Sequence, residues 1–150
     1  MNFQQLRIIR ETVRRKFNLT EVANALYTSQ SGVSKHIKEL EDEARSRKVR
    51  LVIGGGGFSG VELAAELGHH LLGRAENRGI DPSRIDLILL EGSDRLLGGL
   101  DSDSAERALR RLSRLGVKVF LRTLIAGVDS EAIRTKDGDA LDYDLLIWTG

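Results

Sequence analysis

Three glycines, Gly55, Gly57 and Gly60, form the pattern G-x-G-x-x-G between a run of apolar residues and a helical pattern. Each spacing has a chemical reason in a loop that binds a dinucleotide. The first glycine permits a tight turn out of a strand, and the second has no Cβ, so a pyrophosphate can approach the backbone. The third lets the next helix pack closely, and the amino end of that helix presents free N–H groups to phosphates. Phe58 and Ser59 lie within this turn and are therefore part of the predicted cofactor site.

An acidic residue is predicted on the other side of the same site. Residues 85–90 indicate a second buried strand, and Glu91 follows it directly. A carboxylate there accepts hydrogen bonds from the adenosine ribose and repels a 2′-phosphate, so it favours NAD(H) over NADP(H). Glu91 lies 31 residues beyond Gly60, more than the usual spacing of about 20, and a lengthened helix and loop over residues 73–84 fit the excess. The alternative interpretation is a glycine-rich turn in a domain that binds no nucleotide.

The elements that must position these residues alternate between strand and helix from residue 49 onward. Apolar residues predict a strand before the glycines, a helix after them, and a further helix that Asp101 or Ser102 caps and Gly116 ends. The segment Lys136–Asp139 carries the Asp-Gly signal of a hairpin turn. The predicted strands are 49–53, 85–90, 117–121, 124–128, 132–135 and 145–148, and the capped helix is 101–115. This order predicts an α/β fold in which residues 44–150 form a Rossmann-like βαβ dinucleotide-binding domain.

The first 43 residues follow a different pattern, with apolar residues at three- and four-residue steps. This spacing predicts an amphipathic helix over residues 2–17 and a short helix over 21–26. After a tight turn, a third helix is predicted from about Gln30, and the charged residues 44–48 are expected to prolong it. Such an arrangement predicts a three-helix helix-turn-helix segment. The alternative is a small helical bundle whose polar face is merely solvated.

Composition excludes several classes of chemistry. The 150 residues contain no cysteine, which excludes disulfides, thiolate metal sites and a redox-active cysteine pair. No apolar run approaches the roughly 20 residues that span a bilayer, and no signal-peptide pattern opens the chain, so we expect a cytoplasmic protein without a membrane segment. Residues 1–50 carry 11 basic against 6 acidic side chains, a net charge of +5, whereas residues 51–150 carry 12 against 16, a net charge of −4. This asymmetry suggests two modules with different partners.

The remaining candidate side chains indicate neither a metal site nor a catalytic group. His69 and His70 are adjacent and lack a suitably spaced partner, so we expect them on a helix surface. His36 is expected on the face of the third helix that meets phosphates or solvent. Asp101 and Asp103 complement the dipole at a helix start rather than form a catalytic pair. No Ser-His-Asp pattern stands out.

A dense set of short segments distinguishes the amino-terminal part, namely Asn2–Leu6, Asn18–Ser34 and Ile37–Glu43. These segments resemble the DNA-binding end of LysR-type transcriptional regulators, most closely the branch that controls sulfur assimilation and cysteine synthesis. The resemblance implies that the third helix enters the major groove of duplex DNA. The implied contacts to base edges come from Gln30, Ser31, Ser34 and Lys35, and those to phosphates come from Thr28 and Ser29. The family's wing, dimerisation helix and effector domain do not follow, so we expect any DNA binding to be weak.

Four further segments cover the chain from residue 48 onward, namely Val52–Leu67, Leu89–Leu97, Leu115–Val119 and Asp144–Gly150. They resemble the NADH-binding domain of flavin-dependent pyridine-nucleotide oxidoreductases, most closely type II NADH dehydrogenases. The resemblance implies that Glu62 and the loop at Thr149-Gly150 lie near the nicotinamide. It also implies that FAD belongs to a separate domain with its own glycine motif, so the chain would meet FAD only if that missing domain were supplied.

The two resemblances leave three functional hypotheses open. The first is an NAD(H)-binding domain without turnover of its own, and the second is a DNA-binding regulator module. The third is a designed or recombined chimera in which neither site operates. NADH and duplex DNA are the expected partners of the first two, and the oligomeric state is left open. Binding of NADH would favour the first hypothesis, and salt-sensitive binding of duplex DNA would favour the second. Neither response would leave the third.

Overall fold

A five-stranded and a three-stranded sheet form the framework of the described part of the chain. The computed structural model describes the backbone of residues 11–14 and 30–149, and the side chains of residues 35–149. The strands are β1 (Glu11–Arg14), β2 (Val49–Gly54), β3 (Ile85–Leu90), β4 (Lys118–Phe120), β5 (Ile125–Val128), β6 (Ala132–Thr135), β7 (Ala140–Asp142) and β8 (Leu145–Trp148). The helices are α1 (Gln30–Ala44), α2 (Phe58–Leu67) and α3 (Ser102–Arg114). A π-helical turn at Gly68–Leu72 continues α2, and two short 3₁₀ turns, Glu76–Arg78 and Pro82–Arg84, lead into β3.

The larger sheet has the strand order β1-β8-β2-β3-β4, in which β8, β2, β3 and β4 are parallel. In the register, Val52 lies opposite Ile88 on one side and Leu146 on the other. The chain moves outward from β2 to β4 and then returns to β8 on the opposite side of β2. In open parallel sheets, ligands bind at the carboxyl edge beside such a reversal of strand order. The predicted α/β, Rossmann-like fold is confirmed.

Apolar side chains cover both faces of this sheet, which explains why β3 is buried along its whole length. On one face, Leu51 and Ile53 belong to a core that includes residues of all three helices. On the other face, Val52, Ile88 and Leu146 pack with residues of the antiparallel sheet formed by β5, β6 and β7. The parallel sheet is therefore the middle of three layers, and its carboxyl edge is positioned from both sides.

Strand β1 corrects one prediction. The spacing of apolar residues predicted a helix over 2–17, yet Glu11–Arg14 pairs antiparallel with β8, with Thr12 opposite Ile147. The outer edge of β8 would otherwise present unpaired backbone groups, which this pairing satisfies. The β-branched residues Thr12 and Val13 also favour an extended backbone. The helix prediction is wrong for these four residues, and the rest of the range lies outside the described residues.

Helix α1 confirms the third predicted helix, although it ends at Ala44 and residues 45–47 form a turn. The expectation that the charged residues prolong the helix is therefore wrong. One physical reason is that Arg47 is drawn to the sheet, where its Nη2 lies 2.7 Å from Oδ1 of Asp144 just before β8. The predicted helix at 21–26 and the turn after it lie outside the described residues.

The carboxyl half of α1 packs on the parallel sheet. Ile37 and Leu40 are 2% and 3% exposed, and Ala44 is fully buried. All three belong to the same core as Leu51 and Ile53 of β2. The apolar stripe that the sequence assigned to a helix-turn-helix therefore contributes to the core of the α/β domain. The division of the chain at residue 43 stays a prediction.

The helix and turn signals in the second half of the chain are confirmed. At the start of α3, the Asp101 side chain accepts a hydrogen bond from the Ser104 N–H at 2.8 Å. This bond holds the pKa of the Asp101 carboxyl below its usual range. Gly116, after α3, has a φ of 88°, and Gly138, in the hairpin turn between β6 and β7, has a φ of 93°. Both angles lie in the left-handed region that favours glycine.

Candidate functional site

An open crevice of about 290 Å³ lies at the carboxyl edge of the parallel sheet, where the strand order reverses. Its lining residues are Gly55, Gly56, Gly57, Leu90, Glu91, Gly92, Thr123, Leu124, Ile125 and Trp148. The structure thus brings the predicted Gly55, Gly57 and Glu91 together. A cavity of about 340 Å³ between Asp94 and Leu109 contains none of these three residues. The crevice is therefore the candidate site.

At positions 55 and 60, the backbone conformation and packing of the protein itself require glycine. Gly55 has a φ of 107°, which glycine adopts readily, and its N–H donates to the Leu90 carbonyl at 2.8 Å. A Cβ on Gly60 would lie 1.7 Å from the Gly55 carbonyl oxygen. Any side chain at position 60 would therefore push α2 away from the loop. This is the close packing of helix and loop that the motif predicts.

At position 57, neither the backbone angle nor a close protein contact requires glycine. Its φ of −77° suits any residue, and a Cβ at this position would meet no protein atom within 4 Å. Gly57 directly precedes α2 and supplies no side chain to cap it. Phe58, which is 63% exposed, and the half-buried Ser59 follow as the first residues of the helix. The free space beside Gly57 thus lies next to the N–H groups of the first turn of α2.

Glu91 is placed beside the glycine loop, as the sequence predicts. Its Oε2 accepts a hydrogen bond from the Gly56 N–H at 2.5 Å, and its Oε1 accepts one from the Ser93 N–H at 3.0 Å. A carboxylate oxygen offers about two acceptor positions, so each oxygen retains capacity for another donor. Contact of Glu91 with a ribose stays a prediction.

The apolar part of the crevice was missed by sequence reasoning. A Cβ on Gly54 would lie 3.0 Å from Cδ1 of Ile125 and 3.2 Å from Cδ1 of Trp148. Leu124, which also lines the crevice, is 52% exposed. Ile125 begins the strand that follows β4, and Trp148 ends β8. Because the carboxyl ends of parallel strands share one edge, the predicted strand ends contained the signal that could have found Trp148.

The family resemblance places Glu62 and the Thr149-Gly150 loop near the nicotinamide, and both stay predictions. Glu62 is exposed on α2 and does not line the crevice. It borders a separate hollow between α2 and α3 that also includes Glu66 and Arg111. In the predicted loop, Thr149 is half-buried directly after β8, and Gly150 lies outside the described residues.

The residues predicted to contact DNA are only partly described. Thr28 and Ser29 lie outside the described residues, whereas Gln30, Ser31 and Ser34 fall within the first turns of α1 and Lys35 is exposed. The prediction for His36 is wrong, because this residue is 6% exposed and its Nδ1 lies 3.6 Å from Oε2 of Glu39. His36 precedes Leu40 by four residues, so the two share the helix face that packs on the sheet.

The surface position predicted for His70 is also wrong. Its Nε2 lies 2.9 Å from Oε1 of Glu41 on α1, and Arg78 donates to both Glu41 carboxylate oxygens at 2.7 and 2.8 Å. Burial, together with the charge of Arg78, holds the pKa of the His70 imidazole below its usual value. These three side chains join α1 to the segment after α2, a contact between distant parts of the chain that sequence spacing cannot reveal. His69 is exposed, as expected.

Within residues 11–14 and 30–149, no group of three or more His, Asp or Glu side chains is arranged to hold a metal ion. In the same residues, no helix has the length and apolar character needed to cross a membrane.

Comparison with known proteins gives matches of two classes. The sequence model of the family described as Pyridine nucleotide-disulphide oxidoreductase matches residues 14–149. The HTH-type transcriptional regulator cbl of Klebsiella aerogenes is 46% identical over 110 residues, which cover 73% of this chain and 30% of that protein. The Type II NADH:quinone oxidoreductase of Haemophilus influenzae is 36% identical over 114 residues, which cover 74% of this chain and 25% of that protein. Both resemblances predicted from the sequence are confirmed, and the chain spans less than a third of either relative.

A solved structure shares the fold. The structure of NDH2 from Plasmodium falciparum in complex with NADH superposes with a TM-score of 0.65 and 20% sequence identity. The match covers 81% of this chain and 29% of that protein. The likeness supports the Rossmann-like architecture described above.

Proposed function

Because the chain belongs to the pyridine nucleotide-disulphide oxidoreductase family, we propose that its glycine loop binds the pyrophosphate of NAD(H). Gly57 carries this proposal. A glycine-rich turn without a ligand would account for the backbone angle of Gly55 and the close packing at Gly60. Gly57 differs from them because it combines free space with a place in the crevice directly before α2. A ligand that must approach the backbone closely accounts for a glycine at such a position. The N–H groups at the start of α2 complement the negative charge of such a ligand.

Glu91 supplies the proposed selectivity between the two nicotinamide cofactors. Its carboxylate lies at the end of β3 and is fixed by the N–H groups of Gly56 and Ser93. A fixed negative charge at this place accepts hydrogen bonds from ribose hydroxyls and repels the 2′-phosphate of NADP(H). The proposed preference for NAD(H) over NADP(H) thus follows from the negative charge of Glu91.

NADH is expected to bind more tightly than NADPH, and Glu91→Gln is expected to reduce that ratio because it removes the repelling charge. Calorimetric titration of both nucleotides against the wild type and the variant measures the ratio. Asp94→Asn is the matched control, since Asp94 is an exposed acid on the same loop that does not line the crevice. Equal affinity of the wild type for the two nucleotides would contradict the role of Glu91.

The proposed contribution of these 150 residues is to bind and present NADH rather than to oxidise it. Hydride transfer needs an acceptor held against the nicotinamide, and in the resembling family that acceptor is a flavin. FAD enters the proposal only as the group that a further domain would supply. The residues of this chain hold the pyrophosphate at the glycine loop and the ribose at Glu91.

Weak DNA binding is a second candidate function, favoured by the match to the regulator and by the exposed Lys35 in the first half of α1. Lysine side chains contact phosphates and contribute affinity without sequence information. The buried positions of Ile37 and Leu40 limit this function, because the helix is held against the sheet by the same side chains that a separate helix-turn-helix would use. A chimera in which neither site operates is the third possibility.

Duplex DNA is expected to bind weakly, with similar affinity for a palindrome of the LysR type and for a scrambled duplex, and to dissociate steeply as salt rises. Titrations of both duplexes at two salt concentrations measure this. Lys35→Ala should weaken both complexes equally, whereas Lys136→Ala, which alters an exposed lysine in the distant β6–β7 turn, should change neither. Tight binding of the palindrome that survives the higher salt concentration would contradict this expectation.

A further inference from the structure

The loop after β2, the first turn of α2 and the end of β8 meet at one point. The Cβ that Gly60 lacks would lie 1.7 Å from the Gly55 carbonyl oxygen and 3.0 Å from Oγ1 of Thr149. The space left by Gly60 is therefore bordered by a backbone carbonyl of the glycine loop and a hydroxyl group of the neighbouring strand end. Position 60 is glycine because both groups come so close.

We propose that the hydroxyl group of Thr149 is a positioning group for the glycine loop, and that it raises the affinity for NAD(H) without touching the cofactor. This inference rests on the proposed function. Thr149 follows β8, which lies next to β2 across the reversal of strand order. It is thus the first residue beyond the strand on the side of the crevice opposite Glu91.

Three hydrogen bonds join Thr149 to the loop. Its backbone N–H donates to the Gly54 carbonyl at 2.8 Å, which continues the pairing of β8 with β2. Its Oγ1 lies 3.0 Å from the Gly54 carbonyl oxygen and 3.3 Å from the Gly55 carbonyl oxygen. A hydroxyl group has one proton, so the two carbonyls share it. The side chain therefore fixes the peptide groups at which the chain turns out of the strand.

Glu91 binds the same loop from the opposite side. Its Oε2 accepts the Gly56 N–H at 2.5 Å. Consecutive backbone groups of Gly54, Gly55 and Gly56 are thus bonded to side chains from the ends of β8 and β3. The next residue, Gly57, faces open space. The loop is held in one conformation up to the residue proposed to meet the pyrophosphate.

A loop held in its binding conformation loses less conformational freedom when the ligand binds, so its affinity is higher. Removal of the Thr149 hydroxyl group should leave the fold intact, because valine keeps the β-branched shape and the backbone pairing with Gly54. The expected loss is that of one shared hydrogen bond, roughly five- to tenfold in affinity. Serine keeps the hydroxyl group and should retain most of the affinity.

The experiment compares Thr149→Val, Thr149→Ser and the control Thr135→Val, whose hydroxyl group lies 3.4 Å from the Asp139 carbonyl in the β6–β7 turn. Calorimetry measures the Kd for NADH, and NMR hydrogen exchange measures protection of the Gly55 and Gly56 amides without nucleotide. Thr149→Val should weaken NADH binding and speed exchange of these two amides, with the thermal midpoint close to that of Thr135→Val. Thr149→Ser should resemble the wild type in both measurements.

Unchanged NADH affinity and unchanged amide protection in Thr149→Val would overturn the proposal. Equal losses in the valine and serine variants would also overturn it, because the methyl group rather than the hydroxyl group would then be responsible. If the wild type does not bind NADH, the proposed function fails. The exchange measurement would still decide whether Thr149 orders the loop. Unchanged protection of the Gly55 and Gly56 amides in Thr149→Val would show that it does not.

Discussion

Replacement of Gly57 by valine is expected to weaken NADH binding by about fivefold to 150-fold while the thermal midpoint of unfolding stays the same. The weakening follows from the cost of forcing extra methyl groups into a close contact, about 1–3 kcal/mol. Stability is preserved because the added Cβ meets no protein atom within 4 Å and the φ of −77° suits a branched residue. Calorimetric titration with NADH and a thermal unfolding curve measure the two quantities.

Two other glycines give the controls for this experiment. Gly98→Val adds the same side chain at another position with free space but outside the crevice, so NADH affinity should not change. Gly60→Ala, unlike Gly57→Val, should lower the thermal midpoint, because its Cβ would lie 1.7 Å from the Gly55 carbonyl oxygen. Wild-type affinity in Gly57→Val would contradict the pyrophosphate site and favour a glycine-rich turn that binds no nucleotide.

The contrast between these glycines shows what sequence could predict. The motif spacing identified the loop, and the acid after a buried strand identified Glu91, because both signals are local and depend on the strand ends alone. The motif also predicts separate roles for these glycines: the close packing at Gly60 is observed, and the pyrophosphate contact at Gly57 stays a prediction. The family resemblance pointed to the Thr149-Gly150 loop, but no sequence signal predicts the hydrogen bonds of the Thr149 hydroxyl group to the glycine loop, since these depend on β8 lying next to β2.

Contacts between distant segments account for the failed predictions. Residues 11–14 show the spacing of a helix, but an unpaired edge of β8 selects the extended form. His70 follows an apolar helix face, yet its surroundings are set by Glu41 and Arg78, which are 29 and 8 residues away in the chain. Periodicity states which face of a helix is buried, but not what covers that face. For this reason the spacing of Ile37 and Leu40 is compatible with a helical bundle as well as with a helix packed on a sheet.

Replacement of Leu40 by alanine is expected to lower the free energy of unfolding of the whole α/β domain by about 2–5 kcal/mol, the usual cost of such a cavity. Leu40 is 3% exposed and shares its core with Leu51 and Ile53 of β2. Trp148, the single tryptophan of the chain, ends β8 in the parallel sheet, so its fluorescence reports unfolding of that sheet. Urea unfolding followed at Trp148 measures the change.

The matched control is Lys38→Ala, which alters an exposed residue two positions away in the same helix and should leave the transition in place. If α1 belonged to a separately folded helix-turn-helix, Leu40→Ala would leave the Trp148 transition where it is, and the shared core described here would be contradicted. A shift in Leu40→Ala alone would mean that the helix resembling a DNA-reading element stabilises the proposed NADH-binding sheet. A separate helix-turn-helix could then form only at the expense of that sheet, because Ile37 and Leu40 cannot pack against two partners at once.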